Sequence, residues 1–452
     1  MSTVSKLKAL SLAGVLLALV PMAGASMARE PVAEAALGAD AVLAALERAD
    51  HGDLRPVEAL LARGGAQGAE RYLLEARRAT AYLRSSEARA ALDRYFATGD
   101  QNKVRMFAAH EIAAGAALLS GRYADAARHA EAALAMSEGK SQEKIKNARR
   151  VQEMGTQWES VAAQTVEAQG NGAPVLLARD KVGLLRSPVM IEGTVQEAVL
   201  DTGASISVVS ESAAKRLGLR MMEGASTIGN SVGGGVSIRL AVADRLEFGG
   251  SVVRNAVFVV MDDAALDFPV PGGYKIDAII GLPVLGAIGR VEFNLHAKAL
   301  RVTPAPAATD APANLRVIGT SPYVMMSVAG AEMPIYFDTG ANSTALHTGF
   351  TKLRPDLKPV ASGEKSGKAG VGGVKFVESL MFSDLPVTIG GQSATIAKID
   401  FHPDGADDLD TPYGILGIDV LSRFETFAID YQNMVLEVGR PIGKREAVAA
   451  AS

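Results

Sequence analysis

From Arg29 to Gly170 the apolar residues recur three and four positions apart. The segments "DAVLAALERAD", "AERYLLEARRATAYLRSSEARAALDRYF" and "MFAAHEIAAGAALLSGRYADAARHAEAALAM" each carry an apolar stripe between charged faces. That spacing predicts amphipathic helices, and the scarcity of β-branched clusters agrees with it. After Gly170 the period shortens. "SPVMIEGTVQEAVL", "VSIRLAVADRLEF" and "NAVFVVM" are short apolar or alternating runs separated by glycine-rich turns, the pattern of a β domain. A Pro/Ala stretch, "VTPAPAATDAPAN" from Val302 to Asn314, reads as a semi-extended linker, and the β pattern then restarts. The expected organisation is a helical region over 29–170, a β domain over 174–303, a linker over 304–314, a second β domain over 315–440 and a flexible tail over 441–452.

The restart is an internal repeat. Ser187-Pro188 returns as Ser321-Pro322, and Asp201-Thr202-Gly203-Ala204 returns as Asp338-Thr339-Gly340-Ala341. "GNSVGGGVS" (Gly229 to Ser237) is answered by "GKAGVGGVK" (Gly367 to Lys375), and "AIIGLPVL" (Ala278 to Leu285) by "GILGIDVL" (Gly414 to Leu421). Asp201 precedes Gly281 by 80 residues and Asp338 precedes Gly417 by 79. Four landmarks in one order describe two copies of one β unit.

Each copy ends an apolar strand on an aspartate. A strand of that kind delivers its carboxyl to a core or cleft, where desolvation raises the pKa. The glycine that follows turns the backbone so that N–H groups face the carboxylate. A single such turn would be read as one that satisfies its own backbone. Two copies packed about a twofold axis bring Asp201 and Asp338 face to face, where they share one proton and titrate apart. The ionised acid can then draw a proton from water while its partner polarises a peptide carbonyl, which is general acid–base hydrolysis. The runs ending in Ile280-Gly281 and Leu416-Gly417 suit a buried strand packed beneath each Asp turn. The glycine tips Gly233-Gly234-Gly235 and Gly370, Gly372 and Gly373 suit hairpins that cover an extended peptide.

The order of Asp-Thr-Gly-Ala, glycine-rich hairpin and hydrophobic-hydrophobic-Gly resembles the retropepsin-like aspartic peptidases over Pro174–Thr303 and Leu315–Val438. The resemblance implies two all-β acid protease domains related by pseudo-twofold symmetry after an α-helical N-terminal domain. It implies Asp201 and Asp338 as a catalytic dyad, supported by Thr202, Gly203, Thr339 and Gly340, with the glycine tips as flaps. It also implies a polypeptide substrate in an extended conformation, and no cofactor. The copies have diverged at Ser205 against Asn342 and at Pro283 against Asp419. Ala204 and Ala341 lack the hydroxyl found there in pepsin-type enzymes, which points to activity at mildly acid to neutral pH. In the helical region Gly121, Tyr123, Ala126, Ala133 and Leu134, with Ala113, Ala114 and Ala117 before them, resemble one tetratricopeptide repeat that lacks its usual Trp. That resemblance implies a protein partner; a plain helical bundle is the alternative.

The N-terminus changes the expected address. Lys6 and Lys8, the run "ALSLAGVLLALVPMAGA" and the small residues Ala23-Gly24-Ala25 make a secretory signal peptide over 1–25, so the mature protein is expected in the periplasm or outside the cell. No later segment reads as a membrane span. The chain of 452 residues has a formal net charge of -4, no cysteine and no basic cluster, which argues against nucleic acid as a partner. Six histidines without metal-ligand spacing give no metal site. Two rival readings stay open at this point. One is a non-catalytic peptide binder of the same fold, and the other a dimer that pairs equivalent aspartates from two chains.

Overall fold

The computed structural model describes residues 10–11, 41–223, 226–229, 235–268, 272–370, 373–403 and 411–443. All but Leu10 and Ser11 of the expected leader, and all but residues 441–443 of the expected tail, lie outside the described residues. The chain divides into a helical unit, reaching Ala163 and including Arg316–Tyr323, and a β unit made of Gln164–Leu315 and the chain from Val324. Among the described residues no helix is long and apolar enough to cross a membrane.

Among the described residues seven helices build the first unit: α1 (Ala41–Asp50), α2 (Arg55–Ala62), α3 (Gly68–Ala81), α4 (Ser85–Ala97), α5 (Lys103–Leu119), α6 (Tyr123–Leu134) and α7 (Gln142–Gln157). Local chemistry sets their ends. The Asn102 side chain accepts hydrogen bonds from the N–H groups of Val104 and Arg105, both at 3.0 Å, and so caps α5. Ser141 caps α7 by accepting from Lys144 N–H at 3.3 Å. Small residues set the helix spacing. Ala109, Ala113, Ala116 and Ala117 of α5 and Ala126, Ala130 and Ala133 of α6 are buried. Gly155 of α7 lies so close to the start of α6 that a Cβ would stand 2.6 Å from the Tyr123 carbonyl oxygen. Trp158 is buried just beyond α7, its ring 5.4 Å from that of Tyr123.

The β unit holds two domains of one topology. In the first, strand Thr194–Leu200 runs parallel to Ala278–Ile280, which is antiparallel to Ser207–Ser210, which in turn runs parallel to Ser251–Met261. In the second, Ala331–Phe337, Gly414–Leu416, Ala345–His347 and Gln392–His402 repeat the same three relations. Each domain adds long antiparallel hairpins, Gly235–Phe248 on Ser251–Met261 and Gly373–Ile389 on Gln392–His402. The fold is therefore a helical N-terminal region followed by two like β domains.

A five-stranded sheet joins those two domains. Arg290–Asn294 of the first copy pairs antiparallel with Phe427–Asp430 of the second, and Phe293 stacks on Phe427 with ring centroids 4.4 Å apart. Both rings are buried. Burying two phenyl groups in this way contributes roughly 3–6 kcal/mol and fixes the two Asp strands on either side of one pseudo-twofold axis.

Candidate active site

Strand Thr194–Leu200 ends on Ala198, Val199 and Leu200, all fully buried, so the next residue is delivered into the interior. Val199 and Leu200 pair with Ile279 and Ile280, and Asp201 N–H extends that ladder by donating to the Ile280 carbonyl at 3.0 Å. In the second copy Tyr336 and Phe337 pair with Ile415 and Leu416, and Asp338 N–H donates to the Leu416 carbonyl at 3.1 Å. The chain then turns. Gly203 and Ala204 N–H donate to Asp201 Oδ1 at 2.8 and 3.0 Å, and Gly340 N–H donates to Asp338 Oδ1 at 2.7 Å.

Gly281 and Gly417 are required by the close approach of the next strand to this turn. A Cβ on Gly281 would lie 2.6 Å from the Ala204 carbonyl oxygen, and one on Gly417 2.7 Å from the backbone of Ser343. With no Cβ in the way, Leu282 N–H donates to the Ala204 carbonyl at 2.8 Å and Ile418 N–H to the Ala341 carbonyl at 2.9 Å. These contacts fasten each Asp turn to the strand beneath it.

The two threonines lock the copies together. Thr202 N–H donates to Thr339 Oγ1 and Thr339 N–H donates to Thr202 Oγ1, each at 3.0 Å. Each hydroxyl then donates across the axis, Thr202 Oγ1 to the Phe337 carbonyl at 3.0 Å and Thr339 Oγ1 to the Leu200 carbonyl at 2.8 Å. All four bonds are buried, where they are electrostatically stronger than at a surface. They draw each turn glycine against the other copy's acid. A Cβ on Gly203 would stand 2.6 Å from Asp338 Oδ1, and one on Gly340 would overlap the Asp201 carboxyl.

Asp201 and Asp338 are wholly buried. Burial, then the neighbouring Asp338 carboxyl, pushes Asp201 well above the ordinary carboxylate range, against the pull of the Ala204 and Gly203 N–H groups. Burial also raises Asp338. It is opposed by the Asp201 carboxyl acting as a hydrogen-bond donor and by the N–H groups of Gly340, Ala341 and Gly203. The neighbouring carboxyls titrate as a pair and release their protons in two separated steps. The arrangement can therefore accept a proton at one oxygen and give one at another without rearranging.

Of the expected flap residues, Gly235, Gly370 and Gly373 are described. Gly235 pairs with Gly229, and Gly370 with Gly373, at the ends of two hairpins. Gly233, Gly234 and Gly372 lie outside the described residues. Among the described residues no group of three or more His, Asp or Glu side chains is placed to hold a metal.

Sequence reasoning passed over several residues that serve the turns. Gly281 N–H donates to Ser207 Oγ at 3.1 Å, and Gly417 N–H to Thr344 Oγ1 at 3.0 Å. Thr344 Oγ1 donates in turn to Asp419 Oδ1 at 2.6 Å. Burial raises the Asp419 carboxyl above its ordinary range, against that bond. Tyr336 Oη–H donates to the Gly203 carbonyl at 2.9 Å, from one copy to the other. The signal for Ser207 and Thr344 was present: a hydroxyl six residues after each aspartate.

A family model described as aspartyl protease matches residues 187–284, the stretch that carries Asp201 and Gly281. No curated protein matches the chain. Among solved structures, a retropepsin-like aspartic protease from Rickettsia conorii is similar at 14% identity. It covers 32% of this chain and 96% of its own length, with a TM-score of 0.21.

Proposed function

We propose that the chain is an exported aspartic endopeptidase whose two fused β domains supply one catalytic acid each, Asp201 and Asp338. The observation that carries this reading is the reciprocal bonding of Thr202 and Thr339, which sets two buried carboxyls against each other across the axis. A scaffold that only bound peptides would have no use for two desolvated acids in contact, each raised by burial. The aspartyl protease match over residues 187–284 supports the same chemistry for the first copy.

In this mechanism the ionised acid of the pair takes a proton from a water molecule as the water oxygen bonds to the scissile carbonyl carbon. Its protonated partner gives its proton to the carbonyl oxygen, so a neutral tetrahedral diol forms and the charge passes to the partner. The amide nitrogen then takes a proton from the first acid, the C–N bond breaks, and a diol hydroxyl returns a proton to the partner. The pair ends with one proton and one charge, as it began. Each proton transfer of this kind contributes about 10²–10⁴ in rate.

The substrate class is an extended polypeptide lying beneath the two glycine-tipped hairpins. Export rests on the leader pattern of residues 1–25, and a protein partner for the helical unit rests on its one tetratricopeptide-like stretch. The test is cleavage of a diverse peptide mixture, read by mass spectrometry from about pH 3 to pH 8, with the parent chain and its Asp201→Asn and Asp338→Asn variants. Cleavage by the parent and by neither variant is the expected result. A parent without activity at any pH would leave the peptide-binder reading in its place.

A further inference from the structure

The two copies differ in the loop that precedes each Ser-Pro landmark. In the first copy strand Ala178–Arg179 is joined to Leu185–Ile191 by the five residues from Asp180 to Leu184; in the second, Leu315–Ile318 is joined to Ser321–Val328 by Gly319 and Thr320 alone. The longer loop is folded by its own aspartate. Asp180 Oδ1 accepts from the N–H groups of Val182 and Leu184 at 3.0 and 2.9 Å, and Oδ2 accepts from Arg186 Nε and the Tyr274 hydroxyl, both at 2.7 Å. Arg186 is buried, so this carboxyl is tied at both oxygens and gives the loop one shape. The loop reaches the other copy. Asn342 Nδ2 donates to the Val182 carbonyl at 2.7 Å, and a Cβ on Gly183 would stand 3.3 Å from Asn342 Cβ. The second copy has no five-residue loop to offer Ser205, the counterpart of Asn342.

Arg179 stands at the foot of this loop. Its Nε donates to the Gly183 carbonyl at 3.1 Å, and the Cβ position that meets Asn342 lies 3.7 Å from Arg179 Nε and 3.8 Å from Nη2. Among the described residues the guanidinium makes no ion pair. It feels Asp180 and Asp419, but both acids are engaged elsewhere, Asp180 as above and Asp419 with Thr344 and the Val420 N–H. The side chain is exposed, yet enough protein surrounds it that desolvation lowers its pKa. Water reaches it and protein walls it, as at the rim of a cleft. Asp338 to Ala341 are buried, and Asn342 is where that turn first reaches solvent. Four residues span at most about 14 Å, so this rim lies within about four extended residues of the dyad. We propose that Arg179 is a specificity residue that receives an acidic side chain of the substrate, at one fixed position on one side of the scissile bond. The inference rests on the peptidase reading. A guanidinium offers paired N–H donors that match a carboxylate. The arginine on the corresponding strand of the second copy, Arg316, is buried, so the preference has a side and the site reads a peptide's direction.

The experiment is cleavage of the diverse peptide mixture by the full chain, with Arg179→Gln and Arg179→Glu beside the parent and every cut aligned on its scissile bond. The parent should show Asp and Glu enriched at a single position, within about four residues of the cut and on one side of it. In Arg179→Gln, kcat/KM for peptides acidic at that position should fall by about fivefold relative to neutral ones, the worth of one exposed ion pair. The loss should lie in KM and shrink as salt is added. Arg179→Glu should turn the preference toward Lys and Arg. Either variant decides the matter should the other not fold. A parent without an acidic preference at any one position, or a preference that survives in Arg179→Gln, overturns the proposal. If the parent cuts nothing, the same mixture is passed over the immobilised full chain and the retained peptides are read by mass spectrometry. Acidic peptides held by the parent and lost from Arg179→Gln would sink the peptidase reading and leave the subsite standing; retention without regard to charge would overturn the subsite as well.

Discussion

The Asp201 and Asp338 turns share a backbone and differ in what backs them. Both accept N–H donors at Oδ1, both rest on a strand that ends in glycine, and both give a threonine to the other copy. Behind Asp338 the second copy has built a polar chain in which Gly417 N–H donates to Thr344 and Thr344 donates to Asp419. Behind Asp201 the chain stops at Ser207, and the place of Asp419 is taken by Pro283, whose carbonyl accepts from Gln164 Nε2 at 2.7 Å. A duplicated unit inside one polypeptide is free to diverge where a symmetric pair of identical chains is not. The constraint that persists lies on the axis itself. The threonines that bond reciprocally across it stayed the same, whereas Tyr336, which also crosses it, and the residues one layer back changed.

That contrast can be broken in order of effect. Asp201→Asn and Asp338→Asn should each reduce kcat/KM by at least about 10³, because the two acids act as a unit. Near-equal loss in both supports one shared site, whereas a variant that keeps most of its activity would assign that acid to the scaffold. Next come the shared threonines. Thr202→Val and Thr339→Val each delete a buried donor and leave a buried N–H unsatisfied, so each should cost about 2–4 kcal/mol in a urea melt. A large difference between them would contradict the pseudo-twofold lock.

The acids also make a prediction of opposite sign. Both have folded-state pKa values raised by burial, so the folded chain binds more protons than the unfolded one between the two ranges. The stability this contributes is fully present below the unfolded carboxylate range near pH 4 and is lost as pH rises through the folded values. Asp201→Asn should therefore have a higher Tm than the parent at pH 7, with the gain shrinking toward pH 4. An Asn variant less stable than the parent at pH 7 would show that the buried charge is better compensated than its surroundings imply. The smallest effect sharpens the comparison. Thr344→Ala removes a donor to Asp419 as well as an acceptor for Gly417 N–H, and should cost about 1–3 kcal/mol. Ser207→Ala leaves one N–H stranded and should cost about half as much, as thermal melts would show.

How much of this was legible in the sequence depends on how local the cause was. The aspartate turns, the glycines beneath them and the restart of the β pattern were readable because a few adjacent residues encode each of them. The helices were readable from the three-and-four spacing of alanines now buried between α5 and α6. The five-stranded sheet was not, since Arg290–Asn294 meets Phe427–Asp430 only once both copies are folded, and neither run announces its partner. Tyr336 was hidden for a different reason. In "IYFDTG" a tyrosine within an apolar run reads as one more core ring, and only the arrival of Gly203 from the other copy gives its hydroxyl a purpose. Asp419 was visible as a point of divergence from Pro283, but its burial and its bond to Thr344 were not.

The central claim is that one polypeptide makes one site from one aspartate of each domain. A peptide isostere with a hydroxyl in place of the scissile carbonyl mimics the tetrahedral state and should bind between the two acids. Calorimetric titration of the parent at mildly acid pH, alongside its solution mass, tests the claim most directly. The account predicts one isostere per chain and loss of most of the affinity in Asp201→Asn and in Asp338→Asn alike. One isostere per two chains, or binding that survives in either variant, would contradict it.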